Sequence, residues 1–490
     1  MPPPNPVSHR IAGRIPDGRR CAAATRRAGP GSSAGQALVL GLFFVFACAG
    51  VLLLMFNTGR SVDEKLRITN AADAAAWSVA TLEARALNYD AYANRAIVAN
   101  QVAIAQAVSL VSWMHYFEHG VNNAGTLAGV ASSWIYHPAE YPRLAQLLGT
   151  LTGSAYLSVW AGGSLRAIVS NLDLALGAII SMHDAVSVAL ATSQSVMHAS
   201  LATGQAQGDL ANALVQRIDP AMRASINPAS HDFRSFTQVL GRSGPAGDGR
   251  GRLAAVVLRS RDDFTRERVW SIRGPNLPPL QRNVELKRRG GTELIGYDEW
   301  RAMDTLEHQG QRMRRWRWRW RRTPIAAGAA STAAEATPSA ARGHHGGSYR
   351  DNAITAYLLA EPTLQRLDTL GARFSGLPQT HALRDLSPHA SAVTGVTLRV
   401  AKPRAALRTS GGNSVVQPGG RLQQFDAPAP GGEMAALSRA EVFFAPPGAR
   451  RDGKTERPSL YSPYWQARLA SPTLADRGWA AAQQGGLVLP

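Results

Sequence analysis

Residues 37–56 form a run of twenty residues without a charged side chain, ALVLGLFFVFACAGVLLLMF. A helix of that length rises ~30 Å, which is enough to cross the hydrocarbon core of a bilayer. We therefore predict a transmembrane helix over residues 35–57. The residues expected to anchor the chain in the membrane are Ala37, Leu38, Leu42, Phe46, Leu53 and Phe56.

The flanks of this run predict its orientation. Six arginines stand before it, whereas Arg60, Lys65 and Arg67 are the basic residues that closely follow. Because basic residues stay on the cytoplasmic side, we expect residues 1–34 to be a basic cytoplasmic tail. The rest of the chain is then the periplasmic body of a single-pass protein of the bacterial inner membrane. Its cysteines, Cys21 and Cys48, both precede that body, which is therefore expected to fold without disulfides.

Two processed forms of the same segment compete with a retained anchor. A cleavable secretory signal has a shorter apolar region followed by a small-x-small site, whereas Asn57, Thr58, Gly59 and Arg60 follow here. A pilin-type leader is cut on the cytoplasmic side, and Gly35 and Gln36 stand at the corresponding position. The type IV pilin pattern has Glu where this chain has Leu40. A retained anchor is favoured, and processing at Gly35 stays open.

Residues 58–230 are predicted to be an α-helical extracytoplasmic region. Residues 61–117 are rich in Ala and contain neither Pro nor Gly, which strongly indicates a helix. Within them, Ile97, Ile104, Val108 and Val111 form one apolar stripe. Residues 96–117 and 144–165 are apolar enough to raise a second membrane span as an alternative. Their polar side chains are costly in hydrocarbon, so we predict packed helices and a single span.

The second half of the chain changes in character, and the predicted fold class is α+β. Short β-like runs bounded by turn residues indicate a β-rich region over residues 231–325, a low-complexity linker over 326–347 and an α+β region over 348–490. A helix is expected at 353–371, and strands at 253–258, 268–272, 284–287, 393–400, 414–416, 422–425 and 440–445.

The formal net charge of +19 raises nucleic acid or an anionic lipid surface as partners, but arginine is spread widely rather than clustered. The main cluster is the RRWRWRWRR run at 314–322, which could stack on bases or insert into a membrane surface. A strand explains the run equally, because alternation places Trp316, Trp318 and Trp320 on one face to be buried. We favour the strand and expect no nucleic-acid partner in the periplasm.

Catalytic patterns are almost absent. The GSSAG sequence at 31–35 matches a nucleophile elbow only formally, because it lies in the predicted tail. The chain has no Walker A lysine and no HExxH among its twelve histidines. His115 and His119 share a helix face but lack a third ligand. The prediction is a protein that is not an enzyme and that holds no metal or other cofactor.

Three stretches carry a resemblance to a known family: residues 35–40, residues 57–60 and the NAADAAA run at 70–76. They resemble the N-terminal region of TadG-like proteins of the tight-adherence (Flp-type) pilus-assembly group. The most specific residues are Asn70, Ala71, Ala72, Asp73 and Ala74. Two further runs, at 88–100 and 463–469, resemble longer relatives of that group with no established activity.

The resemblance implies a bitopic envelope protein that works with pilus and secretion machinery through protein contacts, including self-association through residues 61–117. Many TadG-like proteins carry a von Willebrand A-type metal site, and here the sequence DLSPH at 385–389 departs from its motif. A structural or assembly role is therefore implied rather than metal-dependent adhesion. The alternative is a membrane-anchored module that binds an envelope ligand, which a concave Trp- or Tyr-lined pocket among residues 236–490 would favour.

Overall fold

The computed structural model describes most of the chain. The residues concerned are 34–123, 164–230, 233–240, 250–274, 276, 281–332, 344–345, 351–384, 393–417, 432–448, 451–454 and 456–484. Long helices and several sheets confirm the predicted α+β class. Residues 1–33, most of the 144–165 segment and the strand predicted at 422–425 lie outside the described residues.

One helix dominates the fold. Helix α1 (Ala34–Asn122) runs for 89 residues, about 130 Å, through the predicted membrane segment and on into the body. Gly59 does not interrupt it, because no side chain or backbone crowds that position and a single glycine costs a helix only ~1 kcal/mol. Helix α2 (Ser164–Ala202) packs antiparallel to α1. Helix α3 (Gln205–Ile218) follows after Gly204, whose φ of 72° turns the chain.

The strands form two larger sheets and one small one, which include every strand named here. The sheet nearer the membrane has the order β1-β10-β11-β12, is antiparallel throughout, and is built from Arg223–Ile226, Val393–Pro403, Glu433–Phe444 and Trp465–Ala470. The small sheet pairs β2 (Thr237–Leu240) with β9 (Thr380–Leu383).

The sheet farther from the membrane has the order β3-β4-β5-β6-β8, with β7 beside β4. Its strands are Trp270–Arg273, Gln281–Ile295, Glu299–Arg314, Arg317–Ser331 and Gln365–Arg366, and β7 is His344–His345. Short helices cover the sheets: α4 (Phe233–Phe236), α5 (Arg250–Ser260), α6 (Asp263–Arg266), α7 (Ala353–Thr355, continued by a π-turn over Ala356–Ala360) and α8 (Leu474–Gln483). Leu367–Leu370 and Arg404–Ala406 are 3₁₀ turns.

Helix α1 contributes to both main cores. The proximal core joins its small residues to the membrane-near sheet, and its α1 members include Ile68, Ala71, Ala72, Ala75 and Ala76. The distal core joins the predicted stripe of Ile97, Ile104, Val108 and Val111 to the far sheet, including the fully buried Trp300. The stripe is therefore confirmed as a buried face. The C-terminal body folds back along the helix that anchors it.

Two predictions from local composition are wrong. Residues 253–258 belong to helix α5 rather than to a strand, because Leu253, Ala254, Val257 and Leu258 recur at helical spacing and bury one face. The predicted linker begins inside strand β6, whose last residues, Ala326 to Ser331, are buried. Small side chains there reflect close packing rather than low complexity, because a Cβ on Gly328 would collide with the Ser112 carbonyl oxygen.

Two further predictions are partly right. Residues 353–371 are helical only at Ala353–Ala360 and in the 3₁₀ turn, and 414–416 is not a strand. The second part of the Arg/Trp run, from Arg317 onward, begins strand β6 as predicted. Arg315 and Trp316 form the two-residue turn before this strand, with φ values of 49° and 61°. The expected burial of its tryptophans is wrong, because Trp316 and Trp320 are 93% and 53% exposed. This part of the hairpin extends past the core.

Candidate functional site: the long helix from bilayer to body

The first part of α1 lies outside every core. Leu38, Leu42 and Phe46 are 57–74% exposed, as a side chain is when lipid is its only neighbour. Leu53 is buried and Phe56 half-buried, so contacts with the body begin at the outer end of the predicted anchor. By length and composition this helix can cross a membrane. Gly35 and Gln36 lie in its first turn.

Helix α2 is also long and apolar enough to cross a membrane. Its position argues against that role. Hydrogen bonds from Tyr89 to Ser193 and from His115 to Asp173 place it beside the far part of α1. Tyr89 lies about 50 Å along the helix from Phe56, beyond a bilayer crossed by residues 37–56. Asp173 and Asp184 are also buried within the body, which fits a helix packed against protein.

Where α1 leaves the anchor, polar residues attach it to the body. The Asn57 amide donates to the Ser410 hydroxyl at 2.7 Å, and the Ser410 N–H donates back to Asn57 Oδ1 at 3.0 Å. Two turns farther, the fully buried Glu64 accepts from Lys402 Nζ at 2.8 Å, and Lys402 also donates to Asp219 at 2.8 Å. Burial opposes ionisation of Asp219, but hydrogen bonds led by that of Lys402 keep its pKa below the ordinary value.

A cleft of about 470 Å³ opens at this exit point. Its lining combines positive and apolar side chains, among them Phe56, Arg60, Arg408, Val415 and Val416. The Arg60 guanidinium lies over the Phe56 ring, 5.5 Å from its centroid. Both valines are exposed, Val415 completely. These residues lie at the level where the helix would emerge among lipid headgroups.

Farther along, the two additional runs marked in the sequence meet each other. Asn88 Nδ2 donates to the Trp465 carbonyl at 2.9 Å, and the Trp465 N–H donates to Asn88 Oδ1 at 3.0 Å. The Asn94 amide donates to the Leu460 carbonyl at 2.8 Å, and Arg95 binds the Tyr461 carbonyl. Side chains of α1 thereby hold the backbone that leads into β12. This gives both runs a structural role.

The family motif occupies the contact between α1 and the membrane-near sheet. Ala71 and Ala72 are fully buried, Asp73 is half-buried, and Asn70 and Ala74 are exposed. The small-residue face is thus covered by the chain's own body and is not open to a partner. The outward side of α1 presents another apolar set: Val62, Leu66, Trp77 and Tyr92 are 50–62% exposed. We call these four residues the outer stripe.

The Arg/Trp hairpin lies at the opposite end of the molecule. Along α1, Gln101 contacts Trp300 and Ser112 contacts Asp304, so β5 runs away from the anchor. The Asn123 amide at the end of α1 binds the Ile325 carbonyl, and the hairpin turn is nine residues farther along β6, ~30 Å. The hairpin therefore points away from the bilayer that α1 enters.

The histidines considered from sequence do not form a joint site. His115 Nε2 lies 2.8 Å from Asp173, whereas His119 contacts the backbone of Ala327. A different group comes together instead: Asp90, His198 and His381. No local motif could have revealed it, because its members lie far apart in sequence and converge only through the packing of α1, α2 and β9.

Comparison with protein families identifies the first part of α1. Residues 35–82 match the model of the Tad family, the TadE/G-like proteins of Flp pilus assembly. The resemblance noted in the sequence is therefore confirmed over the anchor and over α1 as far as residue 82. The comparison with curated proteins found no match, and neither did that with solved structures.

Proposed function

We propose that this protein is a non-enzymatic, membrane-anchored component of Flp-type (tight-adherence) pilus assembly, or of related envelope secretion machinery, and that it acts through protein–protein contacts. The TadE/G-like match over 35–82 supports the process. The observation that carries the contact role is the outer stripe. It continues the exposed apolar surface of the anchor onto the extracytoplasmic part of the same helix.

A partner that also enters the membrane fits this surface. A second helix lying beside residues 37–56 in the bilayer would continue along α1 and meet Val62, Leu66 and Trp77 in turn. Exposed aromatic residues are enriched at protein interfaces because they bury a large area at a modest entropic cost. The buried alanine face cannot serve this purpose without unfolding the proximal core. Self-association, if it occurs, therefore uses the outer stripe.

The proposed topology is a single pass through the bacterial inner membrane, with the N-terminus in the cytoplasm and the body in the periplasm. The excess of arginines before the anchor supports this orientation. A phosphatase reporter fused after Thr69 or after Pro490 is expected to be active at both positions. A reporter active only in the cytoplasm at Pro490 would contradict a periplasmic body.

The contact role is tested by the pair of substitutions Leu66→Ala and Trp77→Ala in one chain. We expect normal levels of folded protein but a loss of surface pili, and loss of crosslinks from a photoreactive residue placed at position 70. Trp320→Ala is the matched control, because it removes an equally exposed tryptophan at the far end of the molecule. Pilus counts that stay at the wild-type level in the double variant would refute the role of the stripe.

The Arg/Trp hairpin favours a second function, binding of an anionic envelope polymer or surface. Trp316 is almost fully exposed, and Arg282 stacks on Trp318 at 4.3 Å, so cationic and aromatic groups alternate on an outward arm. The test is co-sedimentation of the purified chain with isolated cell envelopes. Trp316→Ala combined with Arg319→Ala should reduce it if the hairpin binds, and Leu66→Ala should not.

A further inference from the structure

Beside the proximal core, three titratable side chains from separate elements meet in the interior. Asp90 of α1, His198 of α2 and His381 of β9 are exposed by only 0%, 8% and 4%. One carboxylate oxygen and one nitrogen from each ring all lie within 4.8 Å of one another. His198 Nε2 is 2.6 Å from Asp90 Oδ2, and the two imidazole rings stack with centroids 3.8 Å apart.

This group is incompletely satisfied by protein contacts. Within the part of the chain that the structure describes, Asp90 Oδ1 and His381 Nδ1 are buried without a hydrogen-bond partner. A buried carboxylate oxygen or imidazole nitrogen left in that state is costly, and such groups in folded proteins usually have a partner. The amide nitrogen of adjacent Gln194 donates to the Asp90 carbonyl at 3.3 Å and to Asn94 Oδ1 at 3.0 Å.

We infer that Asp90, His198 and His381 form a binding site for a divalent transition-metal ion of the zinc class. Two imidazoles and one carboxylate are ligands that Zn²⁺ accepts, with bonds of 2.0–2.2 Å. Two ligand atoms on a tetrahedral ion of this kind lie ~3.4 Å apart. The group, whose atoms lie within 4.8 Å of one another, must therefore contract by up to ~1.4 Å at its widest.

Two movements complete the site. The ion takes the place of the 2.6 Å hydrogen bond between His198 Nε2 and Asp90 Oδ2. The stacked rings are parallel within 5°, and their in-plane lone pairs therefore do not converge. The His381 ring must rotate about its Cβ–Cγ bond. A cleft of about 290 Å³, lined by Phe233, Thr237 and both histidines, provides the space.

The ion ties together three parts of the body. Asp90 belongs to the helix that continues from the anchor, His198 to the antiparallel α2, and His381 to the small sheet. Three protein ligands leave a fourth position facing the cleft, which water fills in a tetrahedral site. The metal stabilises the attachment of α2 and β9 to α1, whichever partner the outer stripe contacts.

Binding is measured on the full-length chain in detergent, purified through an affinity tag without histidines and stripped with a chelator. Titration with Zn²⁺ alone, followed by metal analysis after gel filtration, should give one tightly held ion per chain. Asp90→Asn and His381→Gln should each weaken binding at least tenfold and abolish the rise in melting temperature that Zn²⁺ gives the wild type. His183→Gln is the matched control, since His183 also joins α2 to α1, through a hydrogen bond between its Nδ1 and Asn100 Oδ1, and lies outside the proposed site.

Co²⁺ in place of Zn²⁺ gives a readout on the wild type that does not depend on any variant folding. The visible absorption expected is that of a four-coordinate ion with nitrogen and oxygen ligands. Failure of the wild type to retain one ion, or binding by His381→Gln equal to that of the wild type, would overturn the site. Loss of the ion in a chain with His115→Gln and His119→Gln, but not in His381→Gln, would place the metal elsewhere and equally overturn it.

Discussion

Both parts of α1 carry continuous apolar faces, but the surroundings of these faces are opposite. Residues 37–52 are almost entirely exposed, whereas from Asn57 onward one side of the helix is buried against the protein's own sheets. Polar side chains make the difference. Asn57, Glu64 and Asn88 each hydrogen-bond to the C-terminal body, and the anchor offers no group of that kind. Hydrophobicity alone thus predicts that a helix is buried but not whether lipid or protein covers it.

The largest expected effect comes from breaking the charged contact at the boundary between these parts. Lys402→Ala leaves Glu64 buried without its main cation, which should lower the free energy of unfolding by ~3–5 kcal/mol. Urea unfolding of the detergent-solubilised chain measures it. Arg408→Ala is the control, because its half-exposed side chain lies 3.5 Å from the same carboxylate and should cost only ~0–1 kcal/mol. Equal losses of unfolding free energy in the two variants would show that water reaches the Glu64 carboxylate.

A smaller effect should follow protonation of Asp476, which caps α8 and binds Asn227 and Arg439. Burial opposes its ionisation, but hydrogen bonds led by that of Thr473 outweigh burial and keep its pKa below the ordinary value. The unfolded state therefore binds the proton more readily, and the stabilisation present above the unfolded pKa is lost as the pH falls through the folded one.

Asp476→Asn should accordingly cost ~1.5–3 kcal/mol at pH 7, the value of hydrogen bonds to a charged group. Urea unfolding at pH 7 and at pH 3 should show that the difference in unfolding free energy between the wild type and Asp476→Asn becomes smaller at acid pH. A difference that is the same at both pH values would mean that the charge of Asp476 contributes nothing.

Because β6 packs closely on α1, enlarging a residue at this contact should lower stability as much as Asp476→Asn does, or slightly less. Gly328→Ala places a methyl group against the backbone of Ser112 and Tyr116, which cannot move aside as a side chain would, at a cost of ~1–3 kcal/mol. Gly478→Ala in α8 meets no atom within 4 Å and should be neutral or stabilising. Thermal unfolding of the two variants compares them directly, and a neutral Gly328→Ala would argue against this contact.

The smallest change in stability is expected on the outward side of α1. Trp77→Ala removes a half-exposed side chain and should stay within about 0.5 kcal/mol of the wild type. Ile97→Ala, on the buried side of the same helix, should cost ~2–5 kcal/mol. A large loss for Trp77→Ala would show that the outer stripe belongs to the fold and is not free for a partner.

The sequence predicted features that depend on nearby residues. The anchor, the α+β class and the stripe from Ile97 to Val111 follow from hydropathy and helical spacing. The strands predicted at 284–287 and 393–400 lie within β4 and β10, and the strand predicted at 440–445 matches β11 as far as Phe444. The α5 error arose because two valines suggested a strand although the burial period was helical.

Features that depend on tertiary contact were not predictable in this way. Asp90, His198 and His381 meet only because α2 and β9 pack on α1. The buried end of β6 resembles a linker in composition, since its alanines and glycine are selected by the closeness of α1. The exposed tryptophans show the converse error: alternation predicts a strand, but burial also requires an element to pack against it.

The central claim is that α1 has a first part surrounded by lipid and a second part with one face buried against the rest of the chain. Single cysteines test it most directly, in a chain whose Cys21 and Cys48 are replaced by serine. A membrane-impermeant maleimide is applied to intact spheroplasts. Positions 62, 66 and 77 should react at once, positions 71, 72 and 75 only after denaturation, and positions 42 and 46 should be protected by lipid. Equal reaction at positions 66 and 72 would contradict the burial of one face of α1 against the rest of the chain. Reaction at position 66 only after lysis would contradict the placement of this part of α1 outside the cell membrane.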